Sequence, residues 1–337
     1  MKYIVCETPR KFVLKEKTAP AVEKGQVLLQ IKTIGICGTD LHAYAGNQAF
    51  FSYPRVLGHE IGAKIIAKGK EVQHLHSGDK VVLIPYMSCG DCIACRSGKP
   101  NCCAQMQVMG VHIDGGMQEQ IAVPAQYVLP VNELSYEEIA LIEPLAIGAH
   151  ALRRANLKAG ETIIVVGCGP IGLGIMKLAQ IKGAKVIALD IVPQRLQFAK
   201  EHIGVDYTIN ALEDPIEKIR EITNGDFATA VFDASGNQSA IERGPDYMAH
   251  GGRYVLVGLY KDTLTFKHPA IHAKETTLLC SRNATLEDFE MVIECLRTGK
   301  FPTNKFVTHK VKFEDMILHF DNWLDPQAGV IKAMVTL

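Results

Sequence analysis

The chain has 337 residues, of which 47% are apolar and 21% charged, with 36 Lys plus Arg balancing 36 Asp plus Glu. That length exceeds one ordinary core and points to two domains, and a zero formal charge gives no bulk attraction to nucleic acid or an anionic membrane, leaving a small-molecule partner. The opening residues, Met-Lys-Tyr-Ile-Val-Cys-Glu-Thr-Pro-Arg, hold no apolar segment of signal-peptide length, and no stretch approaches the roughly 18 apolar residues of a membrane span. The expectation is a cytoplasmic protein that does not enter the membrane.

In chain order, residues 1–147 carry short apolar runs separated by Gly and Pro, with strands expected at 27–31, 61–66 and 80–84. This is the texture of a β-rich domain with long loops. Cys37-Gly38-Thr39-Asp40-Leu41-His42 and Gly58-His59-Glu60 lie in its first half, and Glu143-Pro144 at its end. From Glu161 the texture changes. Thr162–Val166 reads as a buried strand, followed by a glycine-rich turn, a helix through Ile181 and a strand over Lys185–Asp190. Further strands are expected at 207–210, 230–234, 253–257 and 277–280. Strands alternating with helices imply a parallel, doubly wound sheet spanning residues 148–283. Residues 284–337 are too few for a third domain and are expected to return to the first. There is no internal repeat and no low-complexity tract.

Of the ten cysteines, five crowd between Cys89 and Cys103, which in a reducing compartment argues for metal over disulfides. Cys89, Cys92, Cys95 and Cys103 follow C-x2-C-x2-C-x7-C. Four thiolates on one loop make a closed tetrahedral zinc site whose task is to hold that loop. Cys102 is left as a spare thiol. An iron–sulfur cluster is the rival, but nothing else in the chain suggests an electron path.

Gly167-Cys168-Gly169-Pro170-Ile171-Gly172 fits G-x-G-x-x-G. It follows a predicted strand, opens a predicted helix and precedes a second strand ending in Asp190, the context of a dinucleotide site. Gly167 would make the tight turn, Gly169 would admit the pyrophosphate, and Gly172 would let helix and strand pack, with the helix N-terminus facing the phosphates. Asp190 would accept from the adenosine ribose and repel a 2′-phosphate, favouring NAD over NADP; the nearby Arg195 weakens that preference. Ser235, Val257, Ser281 and Arg282, at or after later strand ends, are further candidate cofactor contacts.

Taken one at a time, Cys37, His59 and Glu143 are ordinary residues. Together with the four-cysteine lobe and the glycine motif, in this order, they resemble the zinc-containing medium-chain dehydrogenases, the family of alcohol, sorbitol and threonine dehydrogenases. The resemblance covers nearly the whole chain. It implies a GroES-like catalytic domain joined to a Rossmann cofactor domain, two zinc ions per chain, NAD, and a homodimer or homotetramer, for which the strand near Thr277 is a natural pairing edge. It implies that Cys37 and His59 hold a catalytic zinc, with Glu60 and Glu143 as its acidic partners, one bound directly. By the same resemblance Asp40 orients His59, and Thr39 and His42 form a proton relay by way of the cofactor ribose. The family motif has Gly where this chain has Ala63, with Gly62 just before it.

In this reading zinc acts as a Lewis acid on a substrate hydroxyl while NAD accepts the hydride. Substrate is the thinner part. The run Gly-Asn-Gln-Ala-Phe-Phe-Ser-Tyr-Pro over residues 46–54 is more polar than an aliphatic-alcohol pocket requires. Arg282, Asn283 and His112 are candidate partners for hydroxyls or a carboxylate. The run over residues 46–60, together with residues 281–285 and Gly-Asn-Gln at 236–238, resembles the sugar-acid members, implying oxidation at carbon 5 of L-galactonate or L-gulonate. Polyol or L-threonine oxidation is the alternative within enzymes, and a cofactor-binding protein without zinc catalysis the alternative outside them.

Overall fold

A computed structural model describes residues 1–48 and 51–337; Ala49 and Phe50, part of the polar run singled out above, lie outside the described residues. The chain divides into two compact units. One comprises Met1–Glu143, Thr285–Gly299 and Thr303–Leu337, the other Pro144–Ala284 with Lys300–Pro302. The fold is of the two-domain α/β class.

The first unit is built on a seven-stranded sheet in which Gln26–Ile36 is the hub. Along one edge it pairs antiparallel with Glu60–Lys68. Along the other its first half pairs with Gln120–Pro124 and its last residues with Lys332–Thr336. The sheet continues outward through Lys80–Leu83 and Val128–Pro130 on one side, and Val307–Lys312 on the other. The hub strand is buried on both faces over most of its length, which is why it reads as an apolar run and not as a clean alternation. Register at its far end matters for the site: Gly35 lies opposite both Glu60 and Met334, and Ile36 opposite Ala333. An aromatic cluster of Phe12, Tyr44, Phe320 and Trp323 anchors the C-terminal return.

The second unit carries six parallel strands in the order Tyr207–Asn210, Lys185–Asp190, Thr162–Val166, Ala228–Asp233, Met248–Leu256, Thr277–Cys280. Strand order reverses between Thr162–Val166 and Ala228–Asp233, where a ligand crevice opens at the carboxyl ends. Ile163, Ile164 and Val165 are fully buried, as an inner strand covered on both faces requires. Two strands differ in extent from expectation: the fourth starts at Ala228 and the fifth already at Met248.

The sequence reading places Glu143-Pro144 just before the second domain and leaves open that Glu143 is a helix-start acid. The structure corrects this: both residues lie inside a 19-residue helix, Tyr136–Arg154, and the division between the units falls between them. Ser135 and Glu138 start that helix with reciprocal bonds. Ser135 Oγ accepts from the Glu138 N–H at 3.2 Å, and Glu138 Oε2 accepts from the Ser135 N–H at 2.8 Å, a capping box. Gly62 permits its approach, since a Cβ there would sit 2.5 Å from the Tyr136 carbonyl oxygen.

Candidate metal centres and dinucleotide crevice

Cys37 ends the hub strand's exit and begins helix Gly38–Ala45, which carries Thr39, Asp40 and His42. Asp40 is 1% exposed and ties the segment together. Its Oδ2 accepts from the Cys37 N–H at 2.9 Å and its Oδ1 from the Gly58 N–H at 3.0 Å. One carboxylate thereby fixes the residues on either side of the gap between Cys37 and His59. The donor atoms of Cys37, His59 and Glu60 all lie within 4.8 Å of one another. His59 is 5% exposed, and its Nδ1 is buried without a hydrogen-bond partner, 3.8 Å from Asp40. A buried orphan nitrogen is costly, and a cation among these donors would relieve it if it bonded there or re-aimed the ring. Burial works against a charged imidazole, but Asp40 and then Cys37 outweigh it and raise its pKa well above the ordinary value. The donor set of thiolate, imidazole and carboxylate is the one zinc takes.

Glu60 is fully buried and accepts from Lys332 Nζ on both oxygens, at 2.6 and 2.7 Å. Lys332, itself 1% exposed, also donates to the Ile36 carbonyl at 3.2 Å. Burial would discharge this ammonium, yet Glu60 holds its pKa above the ordinary value. Strand register explains the meeting. Glu60 sits opposite Gly35, where a Cβ would lie 2.0 Å from Glu60 Oε2. Only glycine leaves that space open. Glu143 arrives from helix Tyr136–Arg154, 4% exposed, with its Oε1 accepting from the Tyr86 hydroxyl. Its carboxyl is pushed up to about 7 by burial, against the pull of His59. Thr39 is half-buried and His42 exposed.

The sequence reading missed Tyr86 and Lys332. For Lys332 a signal existed: it is the one charge inside the apolar run Val330-Ile331-Lys332-Ala333-Met334-Val335.

The four-cysteine lobe lies elsewhere in the same unit. The sulfurs of Cys89, Cys92, Cys95 and Cys103 fall within 4.8 Å of one another. Cys89 and Cys103 sulfurs are 3.4 Å apart, and those of Cys92 and Cys95 3.5 Å. Tetrahedral bonds of about 2.3 Å would place sulfurs about 3.8 Å apart, so the cage is close to zinc size. Backbone N–H groups of Ala104 and Cys95 lower the Cys92 thiol to about 6, favouring thiolate. Cys102 is exposed and stands outside the cage. His112 closes its own loop, with Nδ1 accepting from the Val108 N–H at 2.9 Å.

In the second unit Gly167 takes φ +98°, and a Cβ there would meet the Ser235 N at 3.0 Å. A Cβ at Gly172 would lie 1.9 Å from the Gly167 carbonyl oxygen. Both glycines are therefore required by close approach. At Gly169 a Cβ would meet nothing within 4 Å. That open space lies at the N-cap of helix Pro170–Ile181, where backbone N–H groups suit a pyrophosphate. Asp190 ends its strand 8% exposed, accepting from the Cys168 N–H at 2.6 Å and the Val192 N–H at 2.9 Å. Asp233, at the end of the strand on the other side of Thr162–Val166, accepts from the Ser235 and Gly236 N–H groups at 3.1 and 3.2 Å. Ser235 and Arg282 are exposed, while Arg195 and Val257 are half-buried. Ser281 is buried with its hydroxyl unpartnered.

Comparison with known proteins agrees with this geometry. Residues 23–133 match the alcohol dehydrogenase GroES-like domain and residues 170–298 the zinc-binding dehydrogenase family. The chain is 41% identical to L-galactonate-5-dehydrogenase of Escherichia coli K12, over 100% of this chain and 99% of that one. It is 35% identical to sorbitol dehydrogenase of Bacillus subtilis, over 99% and 97%. A crystal structure of a short chain alcohol dehydrogenase from E. coli CFT073, complexed with cofactor NADH, superposes with a TM-score of 0.94. It is 32% identical and covers 100% of this chain and 99% of that one.

Proposed function

Because the chain belongs to the zinc-binding dehydrogenase family, we propose that it oxidises the carbon-5 hydroxyl of a sugar acid, L-galactonate or its near neighbour L-gulonate, with NAD. The observation that carries the metal part is the donor set of half-buried Cys37 and buried His59 and Glu60 around an unpartnered imidazole nitrogen. The substrate class is supported by the full-length likeness to L-galactonate-5-dehydrogenase.

Cys37 and His59, with Glu60 or Glu143, would hold a zinc ion, and the four lobe thiolates a second one. Bound in the first set, zinc supplies Lewis acidity toward a substrate hydroxyl; NAD supplies the hydride acceptor. The protein's own groups do the rest. Asp40 spans the Cys37 and Gly58 backbones and so keeps the two soft donors in register. The released proton leaves by Thr39 and His42, three residues apart on one helix face, from a half-buried hydroxyl to an exposed imidazole. Histidine suits that last step because its ordinary pKa lies near neutrality. Gly167, Gly169, Pro170, Ile171 and Gly172 would seat the pyrophosphate, with Ser235, Val257, Ser281 and Arg282 lining the other strand ends. Asp190 would meet the adenosine ribose, and its charge supports NAD over NADP despite Arg195.

Two coarser points accompany this reading. Among the described residues no helix is long and apolar enough to cross a membrane, and all ten cysteines are free, which supports the cytoplasm. Strand Thr277–Cys280 closes the second unit's sheet with Leu278 48% exposed, which supports pairing of two chains along that edge.

The test is NADH formation by zinc-replete protein against L-galactonate, L-gulonate, neutral polyols and L-threonine, with NAD and with NADP. Turnover of a sugar acid with NAD is expected. Turnover of only L-threonine or a polyol would discard the substrate and keep the apparatus.

A further inference from the structure

The two carboxylates of the metal site are tethered by different chemistry. Glu60 spends both oxygens on the Lys332 ammonium, whose remaining bond goes to the Ile36 carbonyl. That pair is fully buried and neutral overall. Glu143 is held instead by a phenol, the Tyr86 hydroxyl donating to Oε1. A phenol fixes one oxygen without cancelling the charge. It leaves Glu143 a second oxygen, and a charge that no ammonium offsets, for a cation.

The position of Tyr86 has a traceable origin. Residues Tyr86–Met87 pair with Gln107–Val108 as a short two-stranded ribbon. The whole four-cysteine lobe is the excursion between those two strands, from Cys89 to Cys103. Tyr127 reinforces the start of the excursion, its hydroxyl accepting from the Ser88 N–H at 3.1 Å. The Tyr86 ring is 6% exposed and meets Phe289 edge-on at 6.3 Å between centroids. The lobe's base and a C-terminal helix thus fix the phenol.

Resting on the zinc reading above, we propose that Tyr86 is a positioning residue, which holds Glu143 ready for the metal from the base of the four-cysteine lobe. The lobe then has a route to the other metal site that needs no shared ligand. Tethers of metal-binding carboxylates are worth about 10–100-fold in metal affinity where they have been removed.

The test uses the full chain, stripped of metal and titrated with Co2+, reading uptake and the visible absorption of each bound ion. Wild-type protein takes two Co2+. Tyr86→Phe keeps the ring and removes the donor, so it should keep the lobe ion at wild-type affinity. Its second site should bind Co2+ at least about tenfold more weakly, with an altered ligand-field spectrum. In a Glu143→Gln background the same change should add less than about twofold, because the two residues act as one unit. Glu143→Gln alone should reproduce the loss at the second site, so the metal role of the carboxylate that Tyr86 holds is tested even if the Tyr86 variant folds poorly. Wild-type affinity and spectrum in Tyr86→Phe, or in Glu143→Gln, would overturn the inference while leaving the zinc reading intact. A wild-type protein that takes one Co2+ would overturn both.

Discussion

The four-cysteine lobe and the Cys37 site occupy the same unit of the molecule and are built on opposite plans. The lobe draws four identical donors from one short segment, Cys89 to Cys103, and Cys89 is itself exposed. The Cys37 site draws unlike donors from a helix start and a loop-to-strand junction, with His59 and Glu60 buried and the buried Glu143 offered from the middle of a long helix as a proposed further partner. Four thiolates leave a zinc ion no open position, whereas a mixed set with an adjustable carboxylate leaves one. The difference also shows in what surrounds the donors. Backbone N–H groups suffice for the lobe sulfurs. Around the Cys37 site, side chains do this work: Asp40 holds the Cys37 backbone, Lys332 holds Glu60 and Tyr86 holds Glu143. That contrast fits the proposed tasks: a site that only holds a loop can be local, while one that does chemistry would recruit support from across the fold.

Substitutions can break this contrast in order of expected effect. Cys92→Ser should empty the lobe and cost several kcal/mol, below the ~10–16 kcal/mol of free-standing zinc peptides because the sheet keeps its own core. Metal analysis and Tm would read it, and loss of the lobe ion without a fall in Tm would contradict it. Lys332→Met leaves Glu60 as a buried, unpaired carboxylate and should cost about 3–5 kcal/mol, measured by denaturant unfolding of the metal-free protein. Gly35→Ala drives a methyl into Glu60 Oε2 and should cost about 1–3 kcal/mol as overpacking, with the lobe metal unaffected. Cys102→Ser should stay within about 0.5 kcal/mol and retain both metals; loss of lobe metal would place Cys102 in the cage.

Legibility in the sequence follows the same contrast. The cysteine spacing and the glycine turn are local patterns, so the lobe and the crevice could be located from residues alone. Parallel strands of the second unit were legible because buried strands leave continuous apolar runs, though the fifth begins five residues earlier than expected, at Met248 instead of Arg253. The extent of helix Tyr136–Arg154 was not legible, since Pro144 sits inside it and proline reads as a boundary. Lys332 and Tyr86 were not legible for a different reason. Their partners lie 272 and 57 residues away in the chain, and only the register of the Gln26–Ile36 sheet and the lobe's base ribbon bring them in.

The most direct test of two metal sites with two tasks is zinc content and turnover of wild type beside Cys37→Ser, with NADH binding as control. The account predicts two zincs in the wild type, and one zinc, unimpaired NADH binding and at least about a thousandfold less turnover in the variant, a loss of roughly 4 kcal/mol in transition-state stabilisation. A Cys37→Ser protein that keeps two zincs and wild-type turnover would contradict it.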